Sequence, residues 1–229
     1  IGNGECWYDP IADETIIHTS GWIVIEDPST KKITDEAVIH IYNYLLEFEE
    51  AVDNLDYKKV SSMADLESFA KWYLVEDITK SMDACFWCSC FMYVAGDGII
   101  HMGPVWDFDL AIGNCNYGGC DSPDGDYIST TFYYRHLLRM PEYRALMKAT
   151  WEKYKSAILG MPGYADAYAE MIEKSAVYNF EKWRILGKAV GANPNKIAKE
   201  ATFEGQLEIM KDFLRTRTKF VQNYIESLD

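Results

Sequence analysis

In the stretch Gly103-Pro104-Val105-Trp106-Asp107-Phe108-Asp109-Leu110-Ala111-Ile112-Gly113-Asn114, two carboxylates stand among aromatic rings and the segment closes on a glycine and an asparagine. On an extended backbone, side chains at i and i+2 point the same way, so Asp107 and Asp109 are expected to face one region. Two hard oxygen donors on one side of a segment suit Mg²⁺, which takes one or two carboxylates together with phosphate and water. The bland alternative is that both are surface or turn acids beside a Trp-rich core. On that view Trp87, Trp106 and Phe108 are core residues rather than a sugar-stacking platform.

The elements around this stretch give it a setting. Phe91-Met92-Tyr93-Val94 and Ile99-Ile100-His101-Met102 flank Ala95-Gly96-Asp97-Gly98, which predicts a β-hairpin with a glycine turn. A lone strand histidine such as His101 reads as a packing residue. Upstream, Ser62 is placed to cap a helix whose buried stripe is Leu66, Phe69, Ala70, Tyr73, Leu74 and Ile78. That helix should end near Lys80-Ser81, and a short loop then presents Asp83. Further back, Thr34 caps a helix carrying Val38, Ile41, Leu45, Phe48 and Val52 at helical spacing. The first 32 residues read as short β-like pieces, with Trp22–Ile25 a strand stopped by Asp27-Pro28.

Downstream, the loop from Asn114 to Asp126 is rich in glycine and acid and is expected to be exposed and mobile. Helices are predicted over 131–138, 141–159, 165–183 and 203–228, the second with Pro141 in its first turn. The pattern holds no internal repeat and no linker. It predicts a single domain over 1–229 of the α+β class, mainly α with a small β-hairpin.

Composition narrows the function classes. Apolar residues make up 48% of the 229, enough for a packed core. A formal net charge of −14 disfavours nucleic acid and anionic membranes as partners. A divalent cation or a basic partner is easier to accommodate. No apolar run reaches the ~18–20 residues a membrane span needs. The chain starts at Ile1 without Met or a signal peptide, which reads as an excised piece of a longer protein. Six cysteines are present, and Cys85, Cys88, Cys90, Cys115 and Cys120 lie near the motif. Zinc is one reading of that cluster; buried free thiols, or a disulfide such as Cys115 with Cys120, are others.

The order helix, Asp83 loop, hairpin, Asp-Phe-Asp is the order protein kinases use in their C-terminal lobe. Phosphoryl transfer is mostly positioning and charge neutralisation. One carboxylate must orient the incoming hydroxyl and another must hold the metal against the phosphate oxygens. In this reading Asp83 is the catalytic Asp.

The segment 103–114 resembles the hallmark of the CotH kinase family, spore-coat-type and secreted bacterial proteins with an atypical protein-kinase fold. Other stretches agree: Ile25-Glu26-Asp27-Pro28 with Phe48-Glu49, Asp65-Leu66-Glu67-Ser68-Phe69 with Met82-Asp83, and Phe132–Leu138 with Pro141-Glu142-Tyr143. Asn179-Phe180-Glu181-Lys182-Trp183 and the final helix extend the similarity over nearly the whole chain. The resemblance implies a kinase-like C-lobe using ATP and Mg²⁺ (or Mn²⁺) to phosphorylate protein Ser/Thr hydroxyls. It implies Asp83 as catalytic residue and Asp107 and Asp109 as metal and cofactor ligands, with Asn114 at the cofactor and Gly113 shaping the site. It further implies an extracellular or spore-surface setting, with a coat or other extracellular protein as substrate, or a polysaccharide-associated assembly such as a cellulosome.

Three departures from the kinase pattern accompany it. Only about 30 residues precede the first helix, so the N-terminal lobe is absent or truncated. Lys31 and Lys32 lie in a polar turn, and no nucleotide lysine can be named. Position 88, five beyond Asp83, holds Cys where kinases place a metal-binding Asn, and cysteines fill that loop. A non-catalytic carbohydrate- or protein-binding module is the alternative function. It predicts exposed, coplanar rings among Trp7, Tyr8, Tyr117, Tyr127, Tyr133 and Tyr134. A scaffold with a degenerate site is the third.

Overall fold

The computed structural model describes residues 6–86 and 88–229. The expectation for Trp87 lies outside the described residues. The chain forms two compact units, Ile1–Ala64 and Asp65–Asp229.

The first unit opens with an antiparallel meander of β1 (Cys6–Asp9), β2 (Glu14–His18) and β3 (Trp22–Ile25). Ile17 pairs with Cys6 on one side and Ile23 on the other. Alternate residues of a strand share a face, and here Cys6, Thr15, Ile17 and Ile25 are buried while Trp22 and Val24 are exposed. Helix α1 (Asp35–Asp53) begins where Thr34 predicts, with the Thr34 hydroxyl accepting the Ala37 N–H at 3.2 Å. It packs on β1 and β2 through the predicted stripe, of which Val38, Leu45, Phe48 and Val52 are buried and Ile41 is half-buried. Glu49 fastens the β2–β3 turn to α1. Its carboxylate accepts from Thr19 Oγ1 at 2.8 Å and from Ser20 N and Oγ at 2.9 and 2.7 Å.

A short helix, α2 (Tyr57–Met63), contains Ser62, the expected cap of the following helix. Ser62 instead donates back to the Lys59 carbonyl at 2.7 Å. The cap of α3 (Leu66–Thr79) is Asp65, whose carboxylate accepts from Glu67 N and Ser68 N at 3.1 and 3.2 Å. An anionic cap suits the positive end of a helix dipole better than a hydroxyl.

In the second unit α3 is the central element, and all six residues of its predicted stripe are buried. Trp72, Glu76, Asp77 and Thr79 are buried as well, so the helix is covered almost all round. The hairpin of β4 (Met92–Val94) and β5 (Ile100–Met102) forms as predicted, with Tyr93 opposite His101. It docks on the start of α3: Asp65 N donates to Ile100 O at 2.9 Å and Met102 N to Ser68 Oγ at 3.1 Å. His101 is a packing residue, stacked on Tyr93 at 4.9 Å with its Nδ1 3.1 Å from Asp65 Oδ2.

The rest is helical: α4 (Tyr134–Leu137), α5 (Pro141–Leu159), α6 (Met161–Lys182), α7 (Asn195–Lys199) and α8 (Phe203–Glu226). Helix α6 starts four residues before the expected Ala165, because Pro162 fits the first turn of a helix. Helices α5 and α8 flank α3. The class is mainly α with a few strands, as the sequence predicts.

Candidate metal centre

The link between α3 and β4 and the segment after β5 are laced together by backbone hydrogen bonds. Met82 N donates to Leu110 O at 2.9 Å, and Ile112 N donates to Thr79 O at 2.6 Å. Met82 precedes Asp83 and Leu110 follows Asp109, so this lacing carries the acids to one place. One carboxylate oxygen each from Asp83, Asp107 and Asp109 lie within 4.8 Å of one another. Asp83 is half-buried; Asp107 and Asp109 are exposed. Among the described residues this is the one such group of three or more His, Cys, Asp or Glu side chains.

The convergence is not achieved by the extended alternation expected for 107–109. Asp107 has a φ of +63°, in the left-handed region. The backbone therefore turns within the motif, and Asp109 Oδ1 accepts the N–H of Leu110 at 3.0 Å. A non-glycine residue held at positive φ is strained, and such strain gathers at functional sites. Asn114 braces the turn rather than pointing at the acids. Its Nδ2 donates to Asp109 O at 2.8 Å, and its Oδ1 accepts from Asn193 Nδ2 at 2.6 Å. Gly113 lies at φ +80°, and a Cβ there would sit 2.7 Å from the Phe213 ring. At the other side, Ser89 Oγ donates to Asp107 Oδ2 at 3.4 Å. The Cys88 thiol is a hydrogen-bonding neighbour of the Asp83 carboxylate, and its pKa is raised first by burial and then by that charge.

This geometry stands beside a sequence correspondence. A family model described as CotH kinase protein matches residues 13–221. The chain belongs to the CotH kinase family. The match takes in Asp83, Asp107, Asp109 and Asn114. A comparison with curated proteins found no match. Among the described residues of this CotH-family chain, no helix is long and apolar enough to cross a membrane.

Two cations that sequence reasoning missed fasten the loop that follows the motif. Lys80, the left-handed residue ending α3, is buried and donates to the carbonyls of Gly119, Ser122 and Asp124 at 2.8–2.9 Å. Burial pulls its pKa down, with the charge of Arg217 adding to the effect. Arg217 on α8 is wholly buried. It donates to Asp77 O, Pro123 O and Gly125 O, and its Nη2 lies 3.0 Å from Asp77 Oδ2. Burial pushes the Asp77 carboxyl up despite this partner. The loop from Asn114 to Asp126 is largely exposed, as expected, but its backbone is fastened from beneath by these two cations. Their acceptors are main-chain carbonyls, which leave no mark in the sequence. Glu76, one turn before Lys80, is buried with both carboxylate oxygens unpartnered, and burial pushes it up to about 7.

Cys85, Cys88, Cys90, Cys115 and Cys120 are free thiols. Trp106 is not core: it is 52% exposed and leans on Phe91 at 5.7 Å. It lies at the surface because the chain leaves the hairpin at Gly103 without entering another element. Phe108 is half-buried. Of the rings proposed for a sugar platform, Tyr8 and Tyr117 are exposed. Tyr127, Tyr133 and Tyr134 are buried, and Trp7 meets Trp22 edge-on at 83°. A cavity of about 420 Å³ lies against the end of the motif, at Ile112, Gly113 and Asn116, and runs to Lys196 and Phe213; the three acids are not in its lining.

Proposed function

We propose that this chain is a kinase-like phosphotransferase module, corresponding to a protein-kinase C-lobe, that uses ATP and Mg²⁺ or Mn²⁺ to phosphorylate Ser/Thr hydroxyls of an extracellular or coat protein. The observation that carries the proposal is the convergence of Asp83, Asp107 and Asp109 within 4.8 Å on two segments laced by backbone hydrogen bonds. Three hard oxygen donors of like charge fit a divalent cation, because a bound cation offsets their mutual repulsion. Asp107 and Asp109 would hold the ion; when bound, it neutralises charge on the phosphate oxygens. Asp83 accepts the proton of the incoming hydroxyl and orients its oxygen. Asn114 is a positioning residue, holding the Asp109 backbone from outside the ligand set. Cys88, where kinases use Asn, leaves the ion with oxygen ligands from the acids alone.

Calorimetry with Mn²⁺ and ATP on wild type and Asp107→Asn tests the reading. Metal-dependent nucleotide binding in the wild type, weakened at least tenfold in the variant, is expected. Heat changes indistinguishable from dilution in both proteins would sink the proposal. Phosphate transfer to a Ser-containing protein, lost in Asp83→Asn with Mn²⁺ binding retained, would separate the proton acceptor from the ligands.

A further inference from the structure

Cys115 and Cys120 sit at the two ends of a tight turn, and both are wholly buried. The residues between them, Asn116 to Gly119, are exposed. The turn closes on one oxygen. Tyr117 O accepts from Cys115 Sγ at 3.6 Å and from Cys120 N at 3.3 Å. The two thiols are near enough to interact directly. Gly118 and Gly119, at φ +62° and +73°, let the backbone double back; a Cβ on Gly118 would meet the Met82 side chain at 2.8 Å. Cys120 Sγ also touches Met82 Sδ at 3.2 Å and Tyr127 Oη at 3.6 Å. Cys120 therefore touches the residue that precedes Asp83, and Cys115 follows Asn114.

The other thiols are placed differently. Cys6 belongs to the other compact unit, Cys88 is exposed beside Asp83, and Cys90 is half-buried in the link to β4. Cys85 shares Tyr127 with Cys120 and is the competing partner.

We propose that Cys115 and Cys120 are a disulfide-forming pair whose cross-link closes the turn behind the acidic motif. The oxidant is a low-molecular-weight disulfide such as oxidised glutathione. Because both thiols are buried, exchange proceeds when the exposed turn between them opens: one cysteine thiolate attacks the disulfide, forming a mixed disulfide and releasing one glutathione thiolate. The second cysteine thiolate attacks the mixed disulfide, forming the Cys115–Cys120 bond and releasing the second glutathione. Two cysteine protons leave, and two glutathione thiols result. The small ring restrains the unfolded chain, and a melting temperature higher by roughly 5 °C is expected on oxidation.

The test is a peptide map of the intact chain equilibrated with reduced and oxidised glutathione at an oxidising ratio, then alkylated and cut with chymotrypsin after Tyr117. The expected result is a mass lower by that of two hydrogens and two fragments joined through Cys115 and Cys120 that part on reduction. Separate alkylation of both cysteines, or Cys120 joined to Cys85, would overturn the proposal. The map needs no metal or nucleotide, so its outcome is independent of the phosphotransferase reading. In Cys115→Ser the oxidative rise in melting temperature should vanish; a rise of the same size would also count against the pair.

Discussion

Replacing Glu76 by Gln should flatten the dependence of stability on pH across the neutral range. Glu76 is wholly buried on α3, both oxygens lack hydrogen-bond partners, and burial lifts it from the ordinary 4.5 to about 7. Below about pH 4.5 the carboxyl is protonated in both folded and unfolded chains and contributes no pH dependence. As pH rises, the unfolded chain ionises first while the folded protein keeps its proton. Stability therefore falls with pH until the folded group itself ionises near 7. A raised carboxyl thus helps the fold at low pH and loses that help as pH rises. Every tenfold gain in proton affinity on folding corresponds to ~1.4 kcal/mol, so the full effect would be about 3 kcal/mol, or about 2 after allowing for water reaching the site. Glu76→Gln carries an amide that cannot ionise. Its stability relative to wild type should climb by about 2 kcal/mol between pH 4.5 and pH 8, whatever constant offset the buried amide adds. Urea unfolding followed by tryptophan fluorescence at four pH values measures this directly. A difference between the two proteins that stays constant across the range would refute the reasoning, since it would mean the carboxylate is solvated in the folded state.

Two further outcomes follow from packing around the centre. Arg217→Met should lower stability by about 3–5 kcal/mol in urea unfolding, because Asp77 is left as an uncompensated buried charge. Adding Asp77→Asn to that variant should recover part of the loss. Gly113→Ala should cost about 2 kcal/mol or more through its φ of +80° and the approach of Phe213, and should weaken Mn²⁺ binding by moving the turn that carries Asp109.

The helices and the hairpin were legible because their signals are local. Thr34 and Pro141 mark helix starts by their own chemistry, and the apolar stripes of α1 and α3 repeat at the helical period. The hairpin was visible from its glycine turn. The candidate site was legible as a set of residues, since Asp83, Asp107 and Asp109 do come together, but not as a geometry. The expected extended segment is replaced by a left-handed Asp107, a conformation imposed by the backbone bonds from Thr79 and Met82 to residues 110–112. The Ser62 cap failed because Asp65, three residues on, offered a charge as well as an acceptor. Lys80 and Arg217 were invisible because what they recognise, carbonyl oxygens 39–140 positions away, has no side-chain identity. Trp106 was misjudged as core because composition reports how many rings a chain has and not which segment carries them outward.

The fastening of residues 119–125 by Lys80 and Arg217 bears on how freely this surface can be altered. Both cations grip main-chain oxygens, which every amino acid supplies. Ser122 shapes the loop locally, its Oγ accepting the Asp124 N–H at 3.3 Å, but the exposed side chains of Asp121 and Asp124 take no part in the hydrogen bonds of that grip. They can be exchanged in combination without unpinning it, which makes this loop a display site beside a fixed acidic cluster. A library varied at those two positions and selected for what it binds would sample recognition while leaving the main-chain acceptors in place.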